Sequence, residues 1–310
     1  MSKYSFVIPC YRSEQTIEKV VAEIHSEMAK RSDEYEIVLV NDYSPDGVWA
    51  VISNMARNSS GMITAVNLAK NFGQHAALLA GYAYCTGDFV VSLDDDGQAP
   101  LDYLDALITE INKGYDVVYA YYDEIQQNTF RKFGTWMAKK MGEVMLDQPK
   151  DLKGSSFYIA RKYIIDEMIK YKNSYPYLGG LVFRVTKNIS CVKTKHRARL
   201  VGESGYSFRR LFSLWLNGFT AFSVKPLEFS TLVGSLFAVF GFIYALVIII
   251  RKFAGLTTVE GWSTIIALIL LIGGMILISL GLIGEYIGRM YICINNSPQY
   301  VIKEVVKEDL

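Results

Sequence analysis

The chain has 310 residues, 51% of them hydrophobic, and a formal net charge of +1. That length holds one large domain or two smaller ones, and the near-zero charge excludes a global field for nucleic acid. Its four cysteines lie far apart without a C-x-x-C pair, and it has only three histidines, which argues against a disulfide framework or a zinc site and fits a reducing compartment.

Tyr4–Ile8 is a short apolar run bounded by Pro9, too short for the apolar core of a signal peptide. Glu14–Lys30 has helical spacing, with Ile17, Val20, Val21, Ile24 and Met28 on one face. Glu36–Val40 reads as a strand, Gly47–Arg57 as a helix, Met62–Leu68 as a strand and Gln74–Cys85 as an Ala-rich helix. Phe89–Leu93, Leu101–Asn112 and Val117–Tyr121 continue the pattern as strand, helix and strand. Such alternation predicts a mostly parallel sheet covered on both faces.

Ligands of such sheets bind at the carboxyl ends of the strands. Polar residues gather at four of those ends: Pro9-Cys10-Tyr11-Arg12-Ser13-Glu14, Asn41-Asp42-Tyr43-Ser44-Pro45-Asp46, Asn67-Leu68-Ala69-Lys70-Asn71-Phe72-Gly73, and Asp94-Asp95-Asp96-Gly97-Gln98. Three adjacent carboxylates repel one another unless a cation or a hydrogen-bond network sits among them. Asp94 and Asp96 are two apart, and a strand-like turn points both to one side. Oxygen ligands of this kind suit Mg²⁺ or Mn²⁺, with a substrate phosphate completing the shell. The plain alternative is an acidic turn that caps the next helix. No G-x-G-x-x-G and no Walker loop is present, so neither a dinucleotide cofactor nor NTP hydrolysis is suggested.

The hydrophobic excess lies after Leu227. Phe229–Ile250 carries no charge and Trp262–Gly284 is a second apolar stretch, so the pair predicts a membrane hairpin. Gly234, Gly241, Gly273, Gly274, Gly281, Gly284 and Gly288 are expected to supply small faces for close helix packing. Before the hairpin, Thr129–Leu146 and Tyr206–Phe222 are amphipathic and carry cations, as helices at a headgroup plane do; an ordinary surface helix is the other reading of each. The expected organisation is a cytoplasmic domain over 1–205, a juxtamembrane helix over 206–226, two transmembrane helices over 227–290 and a cytoplasmic tail over 291–310.

The ordered set Val-Ile-Pro-Cys-Tyr, Val-Asn-Asp-x-Ser-x-Asp, Lys-Asn-Phe-Gly and Leu-Asp-Asp-Asp-Gly-Gln resembles the family-2, GT-A-type glycosyltransferases. More narrowly it resembles the polyprenyl-phosphate glycosyltransferases, which include dolichol-phosphate mannose synthases and bacterial undecaprenyl-phosphate glucosyltransferases of O-antigen modification. Asp151-Leu152-Lys153-Gly154-Ser155-Ser156-Phe157 and Arg199-Leu200-Val201-Gly202-Glu203-Ser204-Gly205-Tyr206-Ser207 agree with that branch. The resemblance implies a GT-A Rossmann-like sheet domain, amphipathic interface helices and a two-helix transmembrane hairpin. It implies that Pro9, Tyr11, Glu14, Asp42, Lys70, Asp94 and Asp95 bind the nucleotide sugar, and that Asp94, Asp96 and Gln98 hold the metal. Asp151 and Asp96 are then catalytic, and Arg131, Arg199, Arg209 and Arg210 grip phosphates of the acceptor. Gly97 stands where many relatives have Leu, and Gly205 where many have Lys.

On this resemblance the expected reaction is inverting transfer of a hexose, glucose from UDP-glucose first, onto undecaprenyl phosphate, with Mg²⁺ or Mn²⁺ as cofactor. GDP-mannose, UDP-galactose or a UDP-amino sugar are alternative donors. The expected setting is a bacterial inner membrane, and the expected assembly a homo-oligomer, a tetramer on the resemblance. Two rival readings are a processive polysaccharide synthase and an inactive membrane scaffold; the synthase usually needs more spans and a Gln-x-x-Arg-Trp motif, which the chain lacks.

Overall fold

The computed structural model describes residues 1–122, 152, 154–174, 176–195, 225–254, 261–295 and 298–308. The chain divides into two compact units, Met1–Leu214 with Ser297–Leu310, and Trp215–Asn296. Both amphipathic segments read from the sequence, Thr129–Leu146 and Tyr206–Phe222, lie outside the described residues.

The first unit is built on one sheet. Strands β1 (Lys3–Cys10), β2 (Glu34–Asn41), β3 (Ile63–Leu68) and β4 (Phe89–Ser92) alternate with helices α1 (Ile17–Met28), α2 (Val48–Arg57) and α3 (Gln74–Tyr82). A 3₁₀ turn at Leu101–Tyr103 leads into α4 (Leu104–Ile111), followed by β5 (Val117–Tyr122). These elements match the sequence reading to within a few residues. After them come β6 (Tyr158–Arg161), α5 (Lys162–Ile169), α6 (Leu178–Val185) and β7 (Ile189–Thr194). A final strand, β8 (Ile302–Lys307), follows the second unit, giving the order β7-β5-β6-β4-β1-β2-β3-β8.

β4, β1, β2 and β3 run parallel, β6 is antiparallel to β4 and β5, and β8 is antiparallel to β3. β1 is buried along nearly its whole length, as a central parallel strand covered on both faces must be. On one face Phe6 and Ile8 pack with Ile17, Val20, Val21, Ile24 and Met28, the five positions picked out by helical spacing. On the other lies α3. Its Gly81 comes so close that a Cβ there would sit 2.6 Å from Val7 Cγ1 and 2.8 Å from Val40 Cγ2. The small Gly81 thus lets α3 lie close on the sheet, and the amino end of α3 is tied to the β2 loop where Phe72 and Gly73 N–H donate to Asp42.

The expected cytoplasmic tail contains structure that the sequence reading did not foresee. Thr64 pairs with Lys307 and Leu68 with Ile302, and Ala69 N–H donates to Val301 O at 2.8 Å. The chain thus re-enters the sheet at the carboxyl end of β3.

The second unit is a pair of helices, α7 (Lys225–Phe253) and α8 (Trp262–Ile294). At 29 and 33 residues they reach about 44 and 50 Å at 1.5 Å per residue. Among the described residues, Leu271–Ile294 is long and apolar enough to cross a membrane by length and composition, and Ser230–Tyr244 is a shorter apolar helical segment. The qualifying stretch in α8 thus sits further along than the expected Trp262–Gly284. Phe240 and Leu277 are 75% and 71% exposed, the signature of surfaces that meet lipid or another apolar partner. Ser230 and Ser279 hydroxyls hydrogen-bond between the helices at 2.8 Å. Within this pair of helices the glycines are not at the contact. A Cβ at Gly234, Gly241, Gly273, Gly274, Gly281, Gly284 or Gly288 would meet nothing within 4 Å, so these positions do not bring α7 and α8 together.

Candidate active site

Each polar loop follows the carboxyl end of a parallel strand, and hydrogen bonds join the loops into a closed rim. From the β1 loop, Arg12 N–H donates to Ser44 Oγ at 2.7 Å and Glu14 N–H to Asp46 Oδ2 at 3.0 Å, both in the β2 loop. From the β2 loop, Asp42 accepts Phe72 N–H at 2.7 Å and Gly73 N–H at 2.9 Å. Gln74 Nε2, at the start of α3, donates to Asp94 Oδ1 at 2.6 Å. The circuit closes where Tyr11 N–H donates to Asp95 Oδ2 at 2.9 Å.

Two rim residues other than glycine adopt left-handed backbone, Arg12 (φ 59°) and Tyr43 (φ 52°). Such conformations cost of order 1 kcal/mol each and cluster at ligand sites. Gly73 (φ 89°) provides the turn into α3 that places Gln74.

The described residues expected at the site lie in these loops or, for Pro9, near the end of β1, and several hold the loops together. Pro9 is a buried β1 residue paired with Val40. Tyr11 is 42% exposed, with the Arg12 guanidinium 5.6 Å from its ring centre. Glu14 Oε2 accepts Gly47 N–H at 2.9 Å, a carboxylate at the amino end of α2. Lys70 is exposed, its ammonium 5.0 Å from the Phe72 ring centre. Burial pushes the Asp42 carboxyl up to about 6 against its two backbone donors, which lower it. Burial, and then the charges of Asp94 and Asp96, push Asp95 up to about 6. Asp151, Arg131, Arg199, Arg209 and Arg210 lie outside the described residues.

β4 ends at Ser92, so the triplet follows the strand and turns on Gly97 (φ 73°) rather than continuing the strand's alternation. Asp96 Oδ1 accepts Gln98 N–H at 3.0 Å across that turn. Among the described residues no three His, Cys, Asp or Glu side chains group as a metal site. Two carboxylates with the Gln98 amide are still an all-oxygen set, and Mg²⁺-type sites commonly use one or two carboxylates plus substrate phosphates. That donor set has the oxygen chemistry that suits a hard divalent ion.

Three rim residues escaped the sequence reading. Gln74 and Ser156 both donate to Asp94, and His75 lies beside Gln74. Burial lowers His75 to about 4, its Nδ1 is buried without a hydrogen-bond partner, and its ring stands edge-on to Tyr177 at 5.5 Å. The Lys-Asn-Phe-Gly run stops one residue short of Gln74, and Ser156 sits inside a quoted motif. Position was therefore the available signal, and the contacts were not.

Residues 5–180 match glycosyl transferase family 2, and residues 225–290 match the GtrB C-terminal hairpin. The chain belongs to glycosyl transferase family 2. A Bacillus subtilis (strain 168) member, the uncharacterized glycosyltransferase YkcC, is 31% identical over 303 residues, 97% of this chain and 94% of its own. The undecaprenyl-phosphate 4-deoxy-4-formamido-L-arabinose transferase of Proteus mirabilis (strain HI4320) is 30% identical over 308 residues, 99% of this chain and 94% of its own. In fold, this family 2 glycosyltransferase is similar to the Mycobacterium tuberculosis glucosyl-3-phosphoglycerate synthase solved with Mn²⁺, UDP and phosphoglyceric acid. That match has a TM-score of 0.52 at 19% identity and covers 69% of this chain and 75% of that one. The expected GT-A-type sheet and the family are thus both found.

Proposed function

We propose that this glycosyltransferase moves a sugar from a nucleotide donor to undecaprenyl phosphate at a bacterial inner membrane, with its catalytic unit in the cytoplasm. One observation carries the reading: the acidic triplet lies on the closed rim of a family 2 domain whose chain also carries the GtrB hairpin. UDP-glucose is the donor favoured by the sequence resemblance. The Proteus relative's name supports a second reading, in which the donor carries 4-deoxy-4-formamido-L-arabinose.

In this reading Pro9, Tyr11, Glu14, Asp42, Lys70 and Asp95 form the nucleotide side of the rim. Tyr11 and Lys70 offer an exposed ring and an exposed cation, while Asp42, Asp95 and Glu14 keep the loops in place. Asp94, Asp96 and Gln98 would hold Mg²⁺ or Mn²⁺, which would supply positive charge to offset the negative charge of the leaving diphosphate. Both reactants are anions, so Arg131, Arg199, Arg209 and Arg210 offset their repulsion at the acceptor phosphate. A phosphate monoester is largely deprotonated at pH 7, since its second pKa is about 6. The acceptor oxygen can then attack the anomeric carbon without a strong base. Its new bond forms as the bond to the nucleoside diphosphate breaks, and the electron pair leaves with the diphosphate. Asp151 orients the acceptor or stabilises the positive charge on the sugar. The hairpin would anchor the chain in the bilayer to which the acceptor is confined.

The test uses membranes containing the full chain, undecaprenyl phosphate and labelled donors, with and without EDTA. Label should enter an organic-extractable lipid and EDTA should abolish it. Label in a water-insoluble polymer would indicate a processive synthase, and no label from any donor would indicate a scaffold. Comparing UDP-glucose with the formamido-arabinose donor decides the sugar.

Asp42 should make donor binding pH-dependent. With its carboxyl raised to about 6 by burial, it is protonated below that pH and accepts hydrogen bonds more weakly. UDP affinity should fall about fivefold as pH drops from 6 to 5, approaching about tenfold per unit only at lower pH. Stability of the empty rim runs the other way. A carboxyl raised on folding contributes stability below its unfolded value near 4, and that contribution is lost as pH rises through about 6. Isothermal titration with UDP from pH 5 to 8 measures the first effect. A flat profile would remove Asp42 from the nucleotide site.

A further inference from the structure

Asp94 is held on both sides. Gln74 Nε2 donates to Oδ1 at 2.6 Å, and the Ser156 hydroxyl donates to Oδ2. The two donors come from separate parts of the sheet unit. Gln74 is the first residue of α3, placed by the Gly73 turn and by the Asp42 carboxylate that grips Phe72 and Gly73. Ser156 lies just before β6, where its neighbour Ser155 is pinned through Oγ to Ala120 O at 2.6 Å and Phe157 O at 3.0 Å. Gln74 and Ser156 stand 20 and 62 residues from Asp94 along the chain, so only the fold brings them there.

Both of these donors are neutral, so they fix the direction of the carboxylate and neither of them cancels its charge. Each carboxylate oxygen has two acceptor directions, so neither of these bonds by itself excludes a further partner. A carboxylate already fixed in orientation loses less side-chain freedom when a ligand arrives. The same restraint is typical of carboxylates around bound metals, whose own hydrogen-bond partners set their geometry.

We infer that Gln74 and Ser156 are positioning residues that preset Asp94 to receive the divalent ion and diphosphate of the donor. This rests on the function proposed above and adds which side chains make that end of the rim selective for a metal-bound diphosphate. The readout is Mn²⁺ binding with UDP, followed by electron paramagnetic resonance, on the full chain in lipid nanodiscs, together with steady-state transfer. Gln74→Ala and Ser156→Ala should each weaken Mn²⁺–UDP binding about tenfold and raise the donor KM more than they lower kcat. Ser156→Thr keeps the hydroxyl and should stay within about threefold of the parent. Melting temperatures are read on the same samples, and the effect should appear in variants that melt with the parent.

Parent-like Mn²⁺–UDP binding in a folded Gln74→Ala or Ser156→Ala protein would overturn the inference while leaving the glycosyltransferase reading intact. So would a Ser156→Thr protein as weak as Ser156→Ala, because the hydroxyl would then not be what matters. A parent protein that binds neither Mn²⁺ nor UDP would remove the underlying reading along with this one.

Discussion

Asp96→Asn should lower sugar transfer by about 10³-fold, close to 4 kcal/mol of transition-state stabilisation, while the protein still folds and inserts into membranes. The separation of effects follows from the geometry. Asp96 accepts Gln98 N–H through Oδ1, and an asparagine carbonyl can accept the same bond, so the turn survives. What asparagine cannot supply is the negative charge that holds a divalent ion. Asp95→Asn is the control. Its carboxylate is buried and tied to Tyr11 N–H, an acceptor role that asparagine also fills, and its charge is already costly there. The expected loss is about tenfold or less. Lipid-extractable label, measured with donor and undecaprenyl phosphate saturating, checks both. Equal losses at the two positions would mean that the triplet acts as one acidic turn, and full activity in Asp96→Asn would take the metal away from it.

The first half of the sheet could be read from the sequence because its signals were unmixed. β1 to β4 are apolar runs that end in polar loops, and α1 and α4 bury the side chains their spacing selects. The second half mixes its signals. β6 has four residues, β7 is half-exposed along most of its length, and α6 opens with Leu178-Gly179-Gly180, a poor helical sequence. β8 places two lysines and a glutamate among its six residues, the composition of a surface strand, and reads as a polar tail. The site followed the same division. Rim residues were visible because strand ends have a known use. The ties among them were not, because Asp42–Gly73, Gln74–Asp94 and Ser156–Asp94 span from 20 to 62 residues and depend on tertiary placement. Asp42, Glu14 and Asp95 thus hold backbone N–H groups that no motif would reveal.

That final strand changes how a membrane-free catalytic unit has to be made. Ending the chain at Leu214 discards β8 along with the hairpin. β3 is then left as an edge of six buried residues, Ile63–Leu68, with its outer hydrogen-bonding groups bare. Val306 packs on the core, Ala69 N–H loses Val301 O, and Ser60 N–H loses Glu308 Oε2 at 2.5 Å, so both ends of β3 are affected. Several ladder bonds at about 1 kcal/mol each, less the entropy of ordering the strand, amount to roughly 4 kcal/mol. For a unit of this size that is about 10 °C of melting temperature, and a bare apolar edge invites pairing between copies. Residues 1–214 alone should therefore aggregate or melt about 10 °C below a version that rejoins residues 297–310 through a flexible Gly-Ser linker. Differential scanning fluorimetry and size-exclusion chromatography on the two proteins measure the difference. If residues 1–214 stay monomeric and melt with the rejoined form, β8 contributes nothing to the stability of the sheet.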